Sequence, residues 1–397
     1  MKDAGLDALI ATKAENVTYA TDLETDVPQI FQDLVIFALL SGDDHLDPTL
    51  ILPTAMLPFV AARPNRVRDV RSYGYFNYSF QPDSELTGPE GKMEELLKGS
   101  SYPDMTPVEL LAEVVKEKGL ERGKIGLDER GISAGVKARV LYDLPYARFV
   151  DGFDLFRKIR MVKTDDEIEI LRRAALINEE AIQHFLSFLA EGVTEKDLCR
   201  EFHGHLIMKG AEKGHWNGSG GTRSGALFPA SDYPLKRGDL FRFDVGCIYH
   251  NYFADTGGVC VLGDEPTREQ KKIYRALQAG GEAALSCLRP GAGVSEVFNT
   301  GMEAVKKNGL PHYRRTHLGH GIGLEFYDLP LIKPAQDSSA FLSGDSDVAL
   351  EEKMVVNIET PYYEIGYGGF QIERTLMITE TGFEPLLPVE RELFRVA

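Results

Sequence analysis

The stretch "RTHLGHGIGLEFYDLP", from Arg315 to Pro330, gathers two histidines, three glycines and several acidic or phenolic side chains. His320, in the centre of "GHGIG", is the histidine of greatest interest. Imidazole is the commonest metal ligand among protein side chains, and a bound ion needs further ligands beside it. If His320 binds a metal, its partners must lie elsewhere in the chain.

Four acidic residues interrupt apolar, strand-like sequence on either side of this histidine. They are Asp244 in "FRFDVG", Asp255 in "YFADTGG", Glu359 in "VNIETP" and Glu373 in "FQIERT". A carboxylate buried in a strand is costly unless it is paired or binds a cation. One such acid is typical of a structural ion pair, whereas four of them, two before and two after His320, indicate cations in a shared cleft.

Four carboxylates and one imidazole are too many ligands for a single tetrahedral zinc ion. They suit two divalent cations about 3.5–4 Å apart, bridged by carboxylates. Oxygen ligands favour Mn²⁺ or Mg²⁺, and the imidazole also admits Fe²⁺, Co²⁺ or Zn²⁺.

The sequence around these acids repeats itself. "GVTEKDL" (Gly192 to Leu198) and "GVSEVF" (Gly293 to Phe298) lie 101 positions apart, and each follows a long predicted helix that begins at Thr164 or Thr267. Each helix pair is followed by strand candidates that carry two of the four acids. The order predicts two α+β halves related by a pseudo-twofold axis.

The first 155 residues have a different character, because short apolar runs alternate with helical patterns. One helix is predicted with Thr106 as N-cap and Gly119 at its end. A loop with five aromatic residues between positions 73 and 80 is expected either to pack on its own domain or to form a lid or dimer contact. We expect an α/β domain over residues 1–155 and a second domain over 156–397. Strands are predicted at Asp7 to Thr12, Leu34 to Leu40, Thr49 to Pro53 and Lys124 to Glu129.

Composition excludes some partners. The chain has 397 residues, with 61 acidic and 44 basic side chains and a formal charge of −17. This balance argues against nucleic acid or an anionic membrane as a partner. Four cysteines without a CxxC pair, and the lack of a leader or a long apolar run, predict a cytoplasmic protein.

The order Asp, Asp, His, Glu, Glu, with "GHGIGL" around the histidine, resembles the pita-bread metallopeptidase superfamily. The N-terminal α/β region looks like that of its prolidase, Xaa-Pro aminopeptidase and creatinase branch. The resemblance implies an α+β fold, in which a pita-bread catalytic domain with a pseudo-twofold repeat is preceded in the chain by a smaller α/β domain of the creatinase type. It also implies a homodimer acting on a short peptide or another small molecule.

Carried over residue by residue, the resemblance implies a role for each acid. Asp244 would bind one ion, His320 and Glu359 the other, and Asp255 and Glu373 would bridge both. A water activated by the two cations would attack the amide carbonyl, and Glu359 would pass its proton to the leaving group.

The sequence also departs from the prolidase pattern, which has three further histidines around the site. Their places appear here as Ala230, Thr316 and Tyr327. Those histidines help to hold substrate and move protons in proline-specific peptidases. Their replacement leaves the metal chemistry intact and weakens the inference of proline specificity.

Four residues, one of them Tyr327 itself, are candidates for these tasks. Tyr327 offers a phenol that donates a hydrogen bond or transfers a proton, and His317 either reaches the cleft or packs beneath it. His215 is a candidate for substrate binding in place of a missing histidine. Arg223 in "GTRSG" is a candidate for binding a substrate carboxylate, and pairing with a protein acid is its alternative.

Three functions therefore compete. The first is a dinuclear metallohydrolase resembling an Xaa-Pro dipeptidase or aminopeptidase. The second is a metal-dependent hydrolase or lyase of a small non-peptide metabolite, similar to ectoine hydrolase or dimethylsulfoniopropionate lyase, and the three replaced histidines favour it. The third is a non-catalytic binding module, which the retained ligands argue against.

Overall fold

The structure is a computed structural model that describes residues 1–24, 31, 34–43, 45–63, 66–81, 84–335, 347–389 and 392–396. The chain divides into two compact units, Met1–Lys158 and Ile159–Ala397. This division falls inside the helix Phe153–Met161, three residues beyond the boundary expected near position 155. None of the helices in the described ranges combines the length and the apolar composition that a membrane span requires.

The N-terminal unit is built on a seven-stranded mixed sheet in the order β5-β4-β3-β2-β1-β6-β7. Strand β2 is antiparallel to both of its neighbours, and the other pairs are parallel. The strands are β1 (Ala8–Ala11), β2 (Phe37–Ser41), β3 (Thr49–Pro53), β4 (Asp69–Tyr73), β5 (Ser101–Tyr102), β6 (Lys124–Leu127) and β7 (Arg148–Asp151). The helices are α1 (Ala14–Thr21), α2 (Leu57–Ala62), α3 (Gly88–Gly99), α4 (Pro107–Glu117), α5 (Ala134–Asp143) and α6 (Phe153–Met161).

Local sequence explains helix α4. The Thr106 hydroxyl accepts a hydrogen bond from the Glu109 amide, and the Glu109 carboxylate accepts one from the Thr106 amide. This reciprocal cap satisfies two amides that the first helical turn leaves without a partner. The predicted start of this helix is confirmed, and Pro107 occupies the first position, where no amide hydrogen is needed.

The aromatic loop partly packs on its own unit. The Tyr73 hydroxyl donates to the Val35 carbonyl at 2.8 Å, and the Tyr78 hydroxyl donates to the Ala55 carbonyl at 3.1 Å. The rings of Tyr75, at 72% exposure, and Phe76, at 52%, remain open to solvent.

Within its described residues, the C-terminal unit contains four complete α-helices and three sheets. The larger sheets run β11-β10-β12-β20, with β8 and β9 also paired to β10, and β14-β13-β15-β18-β19. The helices are α7 (Asp165–Ser187), α8 (Glu195–Met208), α9 (Arg268–Leu285) and α10 (Val294–Lys307). The strands of the first half are β8 (Glu212–Trp216), β9 (Ser219–Gly220), β10 (Leu240–Tyr249), β11 (Tyr252–Phe253) and β12 (Thr256–Leu262). The later strands are β13 (Gly319–Gly321), β14 (Asp328–Leu331), β15 (Val355–Glu359), β16 (Tyr362–Glu364), β17 (Gly368–Phe370), β18 (Glu373–Ile378), β19 (Phe383–Pro385) and β20 (Phe394–Val396).

The predicted internal repeat is visible in this order of elements. Helices α7 and α8 precede β8, β10 and β12, whereas α9 and α10 precede β13, β15 and β18. In each half the first of these strands pairs with the second, and the second with the third, always antiparallel. Both long helices begin with the capping residue that the sequence predicts, Thr164 in one half and Thr267 in the other.

The second helix of each half begins differently. Thr194 caps α8 with its own hydroxyl, which accepts from the Asp197 amide. The matching residue, Ser295, lies inside α10, and Gly293 is the N-cap. The backbone amide of Ser295 donates at 2.9 Å to the carboxylate of Asp347, which is distant in sequence and takes the place of a local cap.

Each half has its own apolar core. In the first half Phe185 of α7 meets Phe243 of β10 and Trp216 of β8 edge to face. In the second half buried side chains of α9 and α10, such as Leu277 and Val297, belong to one cluster with those of the second sheet. Each fully buried large apolar side chain contributes about 1.5–3 kcal/mol to folding. These cores hold the sheets that carry the acids.

Candidate metal centre

Three of the four acids lie on strands of the two larger sheets, and the fourth, Asp255, lies directly before one. Asp244 is on β10, where it pairs with Gly257 of β12, and Asp255 immediately precedes β12. Glu359 ends β15 and lies opposite Glu373, the first residue of β18. The repeat therefore places one pair of acids on each sheet.

Glycine allows the two pairs to approach each other. A Cβ atom added to Gly257 would lie 2.5 Å from Oε2 of Glu373 and 2.1 Å from Cγ of Gln371. Real Cβ atoms do not come so near, so a side chain here would push the second-half acid away. The first-half strand thus touches the acid of the other sheet through its backbone.

Asp255 lies between two imidazoles. Its Oδ1 is 3.1 Å from Nε2 of His215, and its Oδ2 is 3.5 Å from Nε2 of His320. Nε2 of His215 is also 2.9 Å from Oδ1 of Asp244. The structure thereby assembles two clusters with the spacing of metal ligands, His215 with Asp244 and Asp255, and His320 with Asp255 and Glu373.

Polar neighbours hold the second-half acids in place. Oε1 of Glu359 lies 2.9 Å from Nε2 of His317 and 3.1 Å from Nη2 of Arg315. The Gln371 amide donates to Glu359 at 3.3 Å and to Glu373 at 3.1 Å. The Asn357 amide, fully buried beside them, donates to Oε1 of Glu373 at 2.6 Å.

Crowding of like charges shifts the pKa values of the two first-half acids in opposite directions. Burial and the nearby Asp255 raise the pKa of Asp244 above its ordinary value. Burial would also raise the pKa of Asp255, but His215 outweighs it and holds this pKa far below the usual range. For His215 burial acts downward, and the two aspartates overcome it to raise its pKa to about 10.

The pKa values of the two second-half acids also move in opposite directions. Burial opposes ionisation of Glu359, but the hydrogen bond from His317 and the charge of Arg315 lower its pKa to about 2. Burial, Asp255 and Asp244 raise the pKa of Glu373 well above that of an ordinary glutamate. Protein cations alone therefore do not neutralise all four acids.

These residues fit a pair of divalent cations. Nδ1 of His320 lies 2.9 Å from the Gly321 carbonyl, which only accepts, so Nδ1 carries the proton and Nε2 of the neutral ring keeps a lone pair. That lone pair faces Asp255 in a cluster in which His320, Asp255 and Glu373 are all buried. A divalent cation would supply the positive charge that Asp244 and Glu373 lack.

Besides His215, two more of the further predicted residues lie here, Tyr327 and His317. The Tyr327 ring stacks on His320 with ring centroids 4.1 Å apart, and its hydroxyl is 3.5 Å from Nε2 of His317. Burial and the acids around it, Glu359 first, raise the pKa of Tyr327 and keep the phenol protonated. Nε2 of His317 lies 2.9 Å from Oε1 of Glu359, a contact that corresponds to the expected position of His317 at the cleft.

Arg223 is placed differently from the expectation that it binds a substrate carboxylate. Its Nε donates at 3.1 Å to Oε1 of Glu195, which has no exposed surface. That same carboxylate accepts from the Ser231 hydroxyl at 2.7 Å and from the Gly220 amide at 3.1 Å. The guanidinium compensates a buried protein acid, because Glu195 would otherwise be an uncompensated charge, and this contact corresponds to the alternative of a protein ion pair.

Sequence reasoning missed four polar residues around the site. Arg315, Gln371 and Asn357 contact the glutamates, and Arg242 of β10 is fully buried, donates to Asn217 at 2.7 Å and lies over the Tyr363 ring. Arg242, Asn357 and Gln371 each stand two positions before an acid, a spacing that puts two side chains on one face of a strand. This spacing of two positions from an acid is the feature of the sequence that could have identified these three residues.

Comparison with known proteins gives one family. Residues 169–380 match the model of metallopeptidase family M24. An Xaa-Pro dipeptidase from Pyrococcus furiosus is 32% identical over 243 residues, which are 60% of this chain and 67% of that protein. An Xaa-Pro dipeptidase from Lactobacillus delbrueckii subsp. lactis is 27% identical over 292 residues, covering 72% and 76%.

The fold agrees with these sequence matches. The crystal structure of an X-Pro aminopeptidase from Thermotoga maritima superposes with a TM-score of 0.77 at 23% identity, over 99% of this chain and 98% of that one. The pita-bread α+β architecture expected from the sequence is thereby confirmed, and the comparisons do not favour a non-peptide substrate. Since the family match spans more than half of the chain, this protein belongs to metallopeptidase family M24 and is a metal-dependent amide hydrolase.

Proposed function

We propose that this enzyme is a dinuclear Xaa-Pro dipeptidase or aminopeptidase. The observation that carries the proposal is Asp255, which presents one oxygen to the His215 cluster and the other to the His320 cluster. In this proposal Asp244 binds the first ion, His320 and Glu359 bind the second, and Asp255 and Glu373 bridge them. The oxygen-rich ligand set favours Mn²⁺, with Co²⁺, Fe²⁺ or Zn²⁺ as substitutes.

When bound, such a cation pair lowers the pKa of water towards neutrality and polarises the scissile carbonyl. Glu359 would accept a proton from that water and pass it to the leaving amine. His317 and Arg315 contact its Oε1 and Gln371 contacts its Oε2, and these contacts fix the orientation of the carboxylate. The protonated phenol of Tyr327 donates a hydrogen bond to the developing oxyanion. His317, between Tyr327 and Glu359, orients both groups.

Proline specificity is supported by the named activities of the relatives from P. furiosus and L. delbrueckii. The replacement of three family histidines, at Ala230, Thr316 and Tyr327, makes a direct assay necessary. Metal-free protein would be loaded with Mn²⁺ and offered Xaa-Pro dipeptides, tripeptides with proline second, Xaa-Ala peptides, ectoine and dimethylsulfoniopropionate.

We expect kcat/KM for Xaa-Pro peptides to exceed that for Xaa-Ala peptides by about a hundredfold, and chelation to abolish turnover. Conversion of ectoine or dimethylsulfoniopropionate without any Xaa-Pro hydrolysis would refute the proposal. Loading with Co²⁺, Fe²⁺ and Zn²⁺ in parallel identifies the metal that supports turnover best.

We also propose a homodimer in the cytoplasm. The four cysteines are all unpaired, which suits a reducing compartment, and the exposed rings of Tyr75 and Phe76 offer apolar surface for a second subunit. Light scattering after size-exclusion chromatography measures the mass directly. A Tyr75→Ser, Phe76→Ser double variant that still elutes at dimer mass would remove these rings from the interface.

A further inference from the structure

We propose that His215 is a sixth protein ligand of the metal centre and binds the ion held by Asp244 through its Nε2 atom. The assignment rests on the two-ion site proposed above and adds to it an imidazole that the five-residue pattern lacks. It gives each ion one imidazole, His215 for the first and His320 for the second.

The distances suit this assignment. Nε2 of His215 lies 2.9 Å from Oδ1 of Asp244 and 3.1 Å from Oδ1 of Asp255. Neighbouring ligands at right angles, each about 2.1 Å from one ion, are about 3.0 Å apart. The three atoms thus have the spacing of ligands that share an ion. The separation of 3.5 Å between His320 and Asp255 fits the wider angle of a tetrahedral site.

The internal repeat supports the same conclusion independently. His215 is on β8, the strand that pairs with the Asp244 strand β10. His320 is on β13, which holds the same place in the second half and pairs with the Glu359 strand β15. Each half therefore supplies one acid from its second strand, one at the start of its third strand and an imidazole from its first.

The backbone opposite His215 leaves space for the ring. A Cβ atom on Gly246 would lie 2.5 Å from Cε1 and 2.7 Å from Nδ1 of His215. A side chain at position 246 would collide with the ring, so this glycine lets the imidazole lie flat against β10 and point its Nε2 at the aspartates.

The two imidazoles are not equally supported. Nδ1 of His320 donates to the Gly321 carbonyl, whereas Nδ1 of His215 has no hydrogen-bond partner among the described residues. His215 also keeps 28% of its side chain exposed, against 1% for His320. A supporting hydrogen bond typically strengthens metal binding about 10–100-fold. We therefore expect the ion at His215 to dissociate first.

Counting imidazoles per ion tests the assignment on the wild-type chain. Protein without a histidine tag would be stripped of metal, loaded with two Co²⁺ ions per chain and examined by X-ray absorption spectroscopy. We expect one imidazole for each ion, whereas the five-ligand site has one for every two ions. His215→Gln should halve the count, and His312→Gln, an exposed histidine outside the site, should leave it unchanged.

A calorimetric titration with Co²⁺ gives a second measure. In His215→Gln we expect the weaker of the two binding steps to fall by at least about tenfold and the stronger step to persist. Two bound ions with one imidazole between them would overturn the role of His215 and leave the proposed function standing. A wild-type protein that binds no divalent ion would overturn the proposed function itself.

Discussion

The two halves of the metal centre hold their acids by different means. In the first half Asp244 and Asp255 share the imidazole of His215, and Asp255 also faces His320 of the second half at 3.5 Å. In the second half Glu359 is contacted by an imidazole, a guanidinium and an amide, and Glu373 by two amides. The second half is therefore ordered by permanent protein donors, and the first half depends much more on the cations themselves.

Solvent exposure separates Asp244 and His215 from the rest of the site. Asp244 keeps 19% and His215 28% of the side chain exposed, whereas Glu359 keeps 7% and Asp255, which faces both halves, keeps 2%. We call the first half, with Asp244 and His215, the open half and the second half, with Glu359 and Glu373, the closed half. Ion pairs are weaker where water screens them, so the open half gains less from His215 than the closed half gains from Arg315. We infer that the closed half fixes the geometry of the site and that an ion or substrate enters and leaves through the open half.

The largest effect is expected at the residue that joins the halves. Asp255→Asn keeps the shape of the side chain but removes the negative charge that faces both imidazoles. Loss of both ions removes several kcal/mol of transition-state stabilisation, so turnover should fall by about a thousandfold or more. Metal analysis of the purified variant, together with its kcat, measures the change.

A matched aspartate provides the control for this variant. Asp347→Asn removes a carboxylate that accepts from Ser295 at the start of α10 and leaves the metal site untouched. It should retain both ions and near-normal turnover, with a small loss of thermal stability. Full metal occupancy in Asp255→Asn would contradict the bridging role.

The five residues that we propose as metal ligands could be singled out from sequence because their chemistry is unusual in its setting. An acid in an apolar strand needs a partner, and four of them around one glycine-flanked histidine have few alternatives. The helix starts at Thr106, Thr164 and Thr267 were also predictable, since each is followed three residues later by Glu or Gln.

Other features depend on contacts between distant parts of the chain. Nothing local in "GHWNG" shows that His215 faces two aspartates, because the register of β8 on β10 decides it. The two alternatives for Arg223 could not be separated from sequence, because the acid that it contacts, Glu195, lies 28 residues away at the start of α8. The cap of α10 comes from Asp347, which is 52 residues from Ser295. Pairings of this kind are set by the tertiary fold.

The next effect concerns the permanent donors of the closed half. Asn357→Leu replaces a fully buried amide with a side chain of similar size and leaves Glu373 without its 2.6 Å hydrogen bond. Metal affinity should fall by about 10–100-fold, because the carboxylate is then less well oriented. Gln183→Leu, which removes an exposed helical amide bonded to Glu179, is the control and should bind metal normally. Equal affinities in the two variants would show that the closed half is not ordered by its donors.

A smaller effect is expected at Tyr327. Tyr327→Phe preserves the ring that stacks on His320 and removes only the hydroxyl near His317. If this phenol donates to the oxyanion, kcat should fall by about tenfold or more while metal content stays the same. Unchanged kinetics would give Tyr327 a structural role, and loss of metal would show that it acts through His320 instead.

The smallest effect is expected on the pH dependence of stability, at a histidine packed in the first half that is not one of the proposed metal ligands. His203 on α8 lies near Trp216, and burial, assisted by Lys213 and His215, lowers its pKa to about 4. Because an unfolded imidazole titrates near 6.5, the unfolded chain binds more protons between these values, and stability should fall as the pH drops from about 6.5 to 4. In metal-free protein, His203→Gln should reduce this fall by about 1 kcal/mol, measured by urea unfolding at each pH. His45→Gln, an exposed histidine of the N-terminal unit, is the control, and identical pH dependence in both variants would show that acid sensitivity arises elsewhere.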